Sequence, residues 1–203
     1  MSITKKSILL IFLVLLIDQI SKIYIKLNFS LGEHVDVLSW FKIYFIENNG
    51  MAFGMELIGK LFLTLFRIVA VAALAWYIHK LIKQQFRAGY ILAVSLVLAG
   101  AAGNIIDSVL YGVIFSASNY MGPVATLFPD GGGYSSLFHG KVVDMLYFPI
   151  IKNAAGETIF FSPIFNIADS AISVAVGIIL IFFRKELNDS LETKKESNEE
   201  LAK

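Results

Sequence analysis

The sequence predicts an all-α membrane protein, four transmembrane helices carrying a small extracytoplasmic β-sheet. Three observations predict it. The 203 residues are 57% hydrophobic and 16% charged, with a mean hydropathy of +0.71, whereas soluble domains are about 25% charged. Four apolar segments are each long enough to cross about 30 Å of hydrocarbon. Their basic flanks fall on one side of the membrane if all four cross it. The net charge of +1 gives no reason to expect nucleic acid as a partner. There are no cysteines, so disulfides, thiol nucleophiles and cysteine metal sites are excluded. His34, His79 and His139 are scattered and no HExxH occurs, so neither a metal nor another cofactor is expected.

The elements follow in order. Residues 1–6 are a short basic start, and the first span runs over about 7–27. Asp18 interrupts it and no small-residue cleavage site follows, so it reads as a retained helix rather than a cleaved leader. Residues 28–58 form a polar connection in which 35–46 are rich in β-branched and aromatic residues, which predicts short strands. The second span covers about 59–78, a loop with Lys80, Lys83 and Arg87 follows, and the third span covers about 88–112. A long connection, 113–161, contains the loop Asp130-Gly131-Gly132-Gly133. The fourth span is expected over 162–183, with Ser162 as N-cap and Pro163 at the first helical position. The 184–203 tail is charged and is expected to be a frayed helix or disordered. Residues 1–183 thus read as one domain.

Four spans put both termini on one side, with the basic start, the 80–87 loop and Arg184-Lys185. The positive-inside rule makes that side cytoplasmic. The bias is moderate, because Lys22, Lys26, Lys42, Lys141 and Lys152 fall elsewhere. Trp40, Phe41, Tyr44 and Phe45 fit an interfacial aromatic belt, as do Trp76 and Tyr77 at the inner face.

Within this frame the polar residues take on depths. Asp18 lies in the outer half of the first span. Asn104 and Asp107 lie near the outer end of the third, after the small-residue run 99–103 that permits close helix approach. Asn166 and Asp169 are three apart at the outer end of the fourth, with Asp169 roughly 9 Å from its start. Asp144 sits in an apolar stretch, 142–146, placed to re-enter the membrane edge. Ionisable groups in hydrocarbon are costly and are functional suspects by default. Two carboxylates at close range cannot both ionise easily, so one stays protonated while the other is a base. That pairing can activate water against a peptide carbonyl. Each acid also has a structural reading. Asp18 fits a backbone tether, Asp107 a bond across helices and Asp144 a strand-end acid, and Asp169 is the hardest to read that way. Ser21-Lys22 is not a nucleophile pair, because adjacent helical residues point apart.

At these residues the chain resembles lipoprotein signal peptidase, or signal peptidase II, across about residues 8–183. The matching motifs are Asp18-Gln19 with Lys22, and Asn48-Asn49-Gly50-Met51-Ala52-Phe53-Gly54. They continue with Gly103-Asn104-Ile105-Ile106-Asp107, Val142-Val143-Asp144, and Phe165-Asn166-Ile167-Ala168-Asp169-Ser170. The resemblance implies an aspartic endopeptidase of the bacterial inner membrane. Its substrates would be diacylglyceryl-modified prolipoproteins, cut before the lipidated cysteine near the periplasmic face, with membrane lipids as neighbours and the monomer as working unit. It implies Asp144 and Asp169 as the catalytic pair. Asp18, Lys22, Asn48, Asn104, Asp107 and Asn166 would support the site or orient substrate. Gly50 and Gly54 would permit a tight turn, and the first outer connection would form a small sheet and a lid.

Two departures stand out. Ser108 occupies the place where the family usually has arginine, and Arg67, about seven residues into the second span, is a candidate to supply that charge; snorkelling is its structural reading. About thirty residues separate Ser108 from Val142 where the family has a short link. Tyr111, Phe115, Tyr120, Phe128, Tyr134 and Phe138 make this insertion aromatic, suited either to the outer leaflet or to plain packing. Two rival readings are a proton-coupled transporter, since buried acids also build proton relays, and a non-enzymatic assembly factor.

Overall fold

The computed structural model describes residues 1–49, 59–120, 122–153, 158–160 and 162–201. Gly50 and Gly54, expected to permit a tight turn, lie outside the described residues. The chain runs α1 (Ile3–Asn28), β1 (His34–Leu38), β2 (Phe41–Asn48), α2 (Lys60–Lys83) and α3 (Ala88–Ile106). It continues with β3 (Val142–Tyr147), β4 (Ile151–Lys152), β5 (Thr158–Phe160), β6 (Ile164–Phe165), α4 (Ile167–Phe182) and α5 (Arg184–Leu201).

The protein is mostly helical, with a small antiparallel sheet. α1, α2 and the stretch Ala88–Ile114 are each long and apolar enough to cross a membrane. α4 reaches that standard only together with the start of α5, from which it is bent by 88°. The tail is helical over Arg184–Leu201. Large apolar side chains such as Phe12, Ile20, Phe62, Phe66 and Phe182 point outward, each about 60% exposed, as suits helices solvated by lipid. α3 is central and packs against α1, α2 and α4. Small residues let it do so: a Cβ on Gly100 would lie 2.3 Å from the Ala168 carbonyl oxygen on α4.

The start of the fourth apolar segment differs from expectation. The helix begins at Ile167, with Asn166 as N-cap. Ile164 and Phe165 are drawn into β6, paired with Tyr147 and Leu146, so the local Ser162-Pro163 signal is overridden by tertiary pairing. Asp169 is consequently the third helical residue. The 142–146 stretch is β3, an inner strand of a four-stranded sheet ordered β1-β2-β3-β6. Its near-continuous apolar composition reflects burial on both faces.

Side chains alternate across the sheet. Phe45, Val143 and Met145 point back into a cluster with Ile25, Tyr111 and Phe115. Phe45 is fully buried there and is no part of an interfacial belt. The insertion supplies Phe115 and Tyr134 to this packing, while Tyr120 and Phe128 are 72% and 71% exposed. The end of α3 passes into a π turn over Asp107–Tyr111, a distortion frequent at functional sites. Carbonyls of Ser108 and Val109 accept from Gly140 N (2.9 Å) and Phe138 N (3.1 Å) of the insertion. Gly140 is required there, since a Cβ would fall 2.0 Å from the Asp107 carbonyl oxygen.

Candidate active site

The site is built where the C-terminal end of α3, the start of α4, the second half of α1 and the sheet meet. Asn166 and Asp169 form a reciprocal capping box. The Asp169 N–H donates to Asn166 Oδ1 (2.9 Å), and the Asn166 N–H donates to Asp169 Oδ2 (3.3 Å). The helix start thereby fixes both side chains and places a carboxylate where the helix dipole favours it.

Asn166 and Asn104 then join Asp144 on β3 to Asp169 on α4. Asn166 Nδ2 donates to Asp144 Oδ1 (2.7 Å) and to Asn104 Oδ1 (3.0 Å). Asn104 Nδ2 donates to Asp169 Oδ1 (2.7 Å). A continuous chain therefore runs Asp144–Asn166–Asn104–Asp169. Asn48 Nδ2 adds a bond to Asp144 Oδ2 (3.3 Å). It reaches across the sheet as a diagonal neighbour on the same face, because β2 and β3 pair Asn48 with Val142 and Ile46 with Asp144.

Beneath this chain lies a buried ionic layer. Lys22 Nζ is 2.9 Å from Asp18 Oδ2, Asp107 Oδ2 and Asn104 Oδ1, so its three donors are all used. Lys22, Asp18 and Asp107 are each 0% exposed. Because Lys22 and Asn166 both donate to Asn104 Oδ1, the Asn104 amide has one orientation, with its Nδ2 toward Asp169. Asp18 Oδ1 accepts from the Ala168 N–H (2.9 Å) and Asp107 Oδ2 from the Val143 N–H (3.2 Å). Gln19 Nε2 bridges Asp18 Oδ2 (3.0 Å) and Asp107 Oδ1 (2.9 Å). The structural readings of Asp18 and Asp107 thus match their contacts, since both tie backbone to the layer under the pair. Gly103 is part of it: a Cβ there would sit 2.7 Å from Asp18 Oδ2.

Asp144 is 2% exposed. Burial first, and then the neighbouring Asp169 carboxylate, push its pKa up to about 7, against the lowering effect of Asn48, Asn166 and Lys22. Two neighbouring carboxyls, one of them poised to carry a proton at neutral pH, are equipped for general acid–base chemistry. Arg67 is within electrostatic range of Asp169. Ser108 is buried and turns back on its own helix, donating to the Asn104 carbonyl (3.0 Å). Among the described residues no group of three or more His, Cys, Asp or Glu side chains is arranged to hold a metal ion.

Sequence reasoning passed over Glu47, Lys26 and Ser118, which form a second buried polar group behind the sheet. It quoted Gln19 only as part of a motif. The Asn-x-x-Asp spacing of Asn166 and Asp169 carried the capping-box signal.

The chain is similar to known proteins of one family. A family model for signal peptidase (SPase) II matches residues 10–185. The lipoprotein signal peptidase of Porphyromonas gingivalis is 46% identical over 196 residues, covering 92% of this chain and 86% of that protein. The lipoprotein signal peptidase of Amoebophilus asiaticus is 32% identical over 195 residues, covering 89% of this chain and 78% of that protein. A bacterial membrane enzyme solved by the in meso method at 2.3 Å superposes with a TM-score of 0.63 at 28% identity, covering 91% of each chain.

Proposed function

This chain belongs to the signal peptidase II family, and we propose that it removes signal peptides from diacylglyceryl-modified prolipoproteins by cutting before the lipidated cysteine. It is a protease, of the aspartic type by family. The observation that carries the reading is the hydrogen-bonded chain from Asp144 through Asn166 and Asn104 to Asp169. It holds two carboxyls from different elements beside each other.

In the proposed reaction one carboxylate of the pair takes a proton from water as the water oxygen attacks the scissile carbonyl carbon. The other, protonated, gives its proton to the departing cysteine nitrogen as the C–N bond breaks. The pair is then left with its proton exchanged between members and ready to reset. Asn48 and Asn166 orient Asp144, and Asn104 orients Asp169. Lys22, Asp18 and Asp107 hold that arrangement from below. Arg67 faces the pair and tempers its negative charge. Gly50 and Gly54 would serve the substrate-side turn.

The four apolar segments are proposed as four spans of a single 1–183 domain in the inner membrane, followed by the cytoplasmic 184–203 tail. Both termini would be cytoplasmic and the site near the periplasmic face, which the basic 80–87 loop and Arg184-Lys185 support. The working unit is proposed to be a monomer. The test is mass spectrometry of products from a diacylglyceryl-modified prolipoprotein and its unmodified form. A product starting at the lipidated cysteine, formed from the modified precursor alone, is expected. Equal cutting of both, or cutting elsewhere, contradicts the reading.

A further inference from the structure

Behind the sheet, one turn beyond Lys22 on α1, lies a polar group that the proposed reaction does not use. Lys26 is 0% exposed and its ammonium is ion-paired with Glu47, whose side chain is 3% exposed. Lys26 Nζ also donates to Ser118 Oγ (2.9 Å), and Ser118 Oγ donates to Glu47 Oε1 (2.9 Å). Lys141 Nζ reaches the other carboxylate oxygen, Glu47 Oε2, at 3.2 Å. Tyr134 closes the group, with Lys26 Nζ 4.9 Å and Lys141 Nζ 5.7 Å from its ring centre. Burial alone would raise the Glu47 carboxyl, but the Lys26 ammonium, with Ser118 and Lys141, holds it below the usual carboxylate range.

Such a pair is a weak stabiliser in itself, since apolar residues of similar volume often do as well. What it supplies is direction. Ser118 and Lys141 stand near the two ends of the aromatic insertion, and both bind the same carboxylate. Glu47 points to the back face of the sheet, so the next residue, Asn48, points to the front. Asn48 is also the last residue of β2, where its pairing with Val142 is the final step of the β2–β3 ladder among the described residues. Its bond to Asp144 is long, at 3.3 Å, and a small shift of the strand end would lose it.

We propose that Lys26, Glu47, Ser118 and Lys141 form a buried clamp that fastens both ends of the insertion to the end of β2 and thereby positions Asn48 against Asp144. Glu47 and Lys26 are positioning residues in this account, acting through Asn48, and the account rests on the peptidase reading above. It gives the insertion a task in the reaction beyond packing.

The test measures kcat and KM of the purified full chain on a diacylglyceryl-modified prolipoprotein. Four proteins are compared: wild type, Lys26→Met/Glu47→Leu, Asn48→Ala and the triple variant. Removing both charges together avoids stranding one of them. The double variant should lose about tenfold to a hundredfold in kcat, as small misplacements of reacting groups do, with KM within about twofold. The triple variant should be no slower than Asn48→Ala, because the clamp acts through that residue. An unchanged kcat in the double variant, or a loss that multiplies in full onto Asn48→Ala, overturns the clamp. Should the double variant not fold, Ser118→Ala leaves the charge pair in place. It should show a smaller kcat loss that likewise disappears in the Asn48→Ala background, and no loss overturns the clamp. Wild type and Asp144→Asn, run alongside, report separately on the peptidase reading.

Discussion

Asp144→Asn should abolish cleavage and, at neutral pH, make the protein more resistant to unfolding relative to wild type than it is at low pH. The buried Asp144 carboxyl has its pKa pushed up to about 7 in the folded protein, against about 3.9 in an unfolded chain. A group whose folded value lies above its unfolded value binds more protons when folded. Its contribution to stability is full below about pH 4 and is lost as pH rises through 7. The gap corresponds to about 4 kcal/mol lost between those limits. Asparagine carries no charge and has no such loss. It does turn an amide N–H toward a donor, Asn48 or Asn166, at about 1–3 kcal/mol. That cost is the same at every pH, so the slope is the diagnostic quantity. Thermal unfolding of the detergent-solubilised protein should show the melting point of the variant rising relative to wild type by about 10 °C between pH 4 and pH 8, at about 2–4 °C per kcal/mol for a chain of this size. Parallel curves across that range would refute the reasoning, because they would mean that Asp144 is not buried beside a second carboxylate.

Other substitutions probe the layer beneath the pair. Lys22→Met strands Asp18 and Asp107, both fully buried, and should cost about 3–5 kcal/mol in stability; adding Asp107→Asn should recover part of it in the same melting assay. Gly103→Ala places a methyl 2.7 Å from Asp18 Oδ2 and 3.1 Å from Ala168 Cβ. It should cost about 1–3 kcal/mol by overpacking and lower the cleavage rate with it. Arg67→Gln should fold normally yet cleave about tenfold more slowly, as expected if the guanidinium's electrostatic influence on Asp169 contributes roughly 1.4 kcal/mol to the barrier. Full activity with intact folding would remove Arg67 from the site.

The spans were legible because lipid imposes long apolar runs, and α1, α2 and α3 appear where those runs lie. The acids were legible because Asp18, Asp107 and Asp169 interrupt such runs at a cost. The start of α4 was not legible from Ser162-Pro163, since pairing of Ile164 and Phe165 with β3 delays the helix and makes Asn166 the cap. Val142–Leu146 was not legible as a strand, because a strand buried on both faces has no alternation to reveal it. Lys22 was legible as a supporting residue four positions after Asp18, with which it pairs on one helix. Lys26 was counted only as a basic residue diluting the orientation signal. It is buried and paired with Glu47, which lies on another element, and contacts between elements leave no periodic trace in a single sequence.

The most direct test of the central claim is cleavage of a diacylglyceryl-modified prolipoprotein by wild type, Asp144→Asn and Asp169→Asn, each with and without a chelator. The account predicts cleavage by wild type that survives the chelator and is lost in both variants while each still folds. Cleavage that persists in either folded variant would contradict the assignment of Asp144 and Asp169 as the reacting pair.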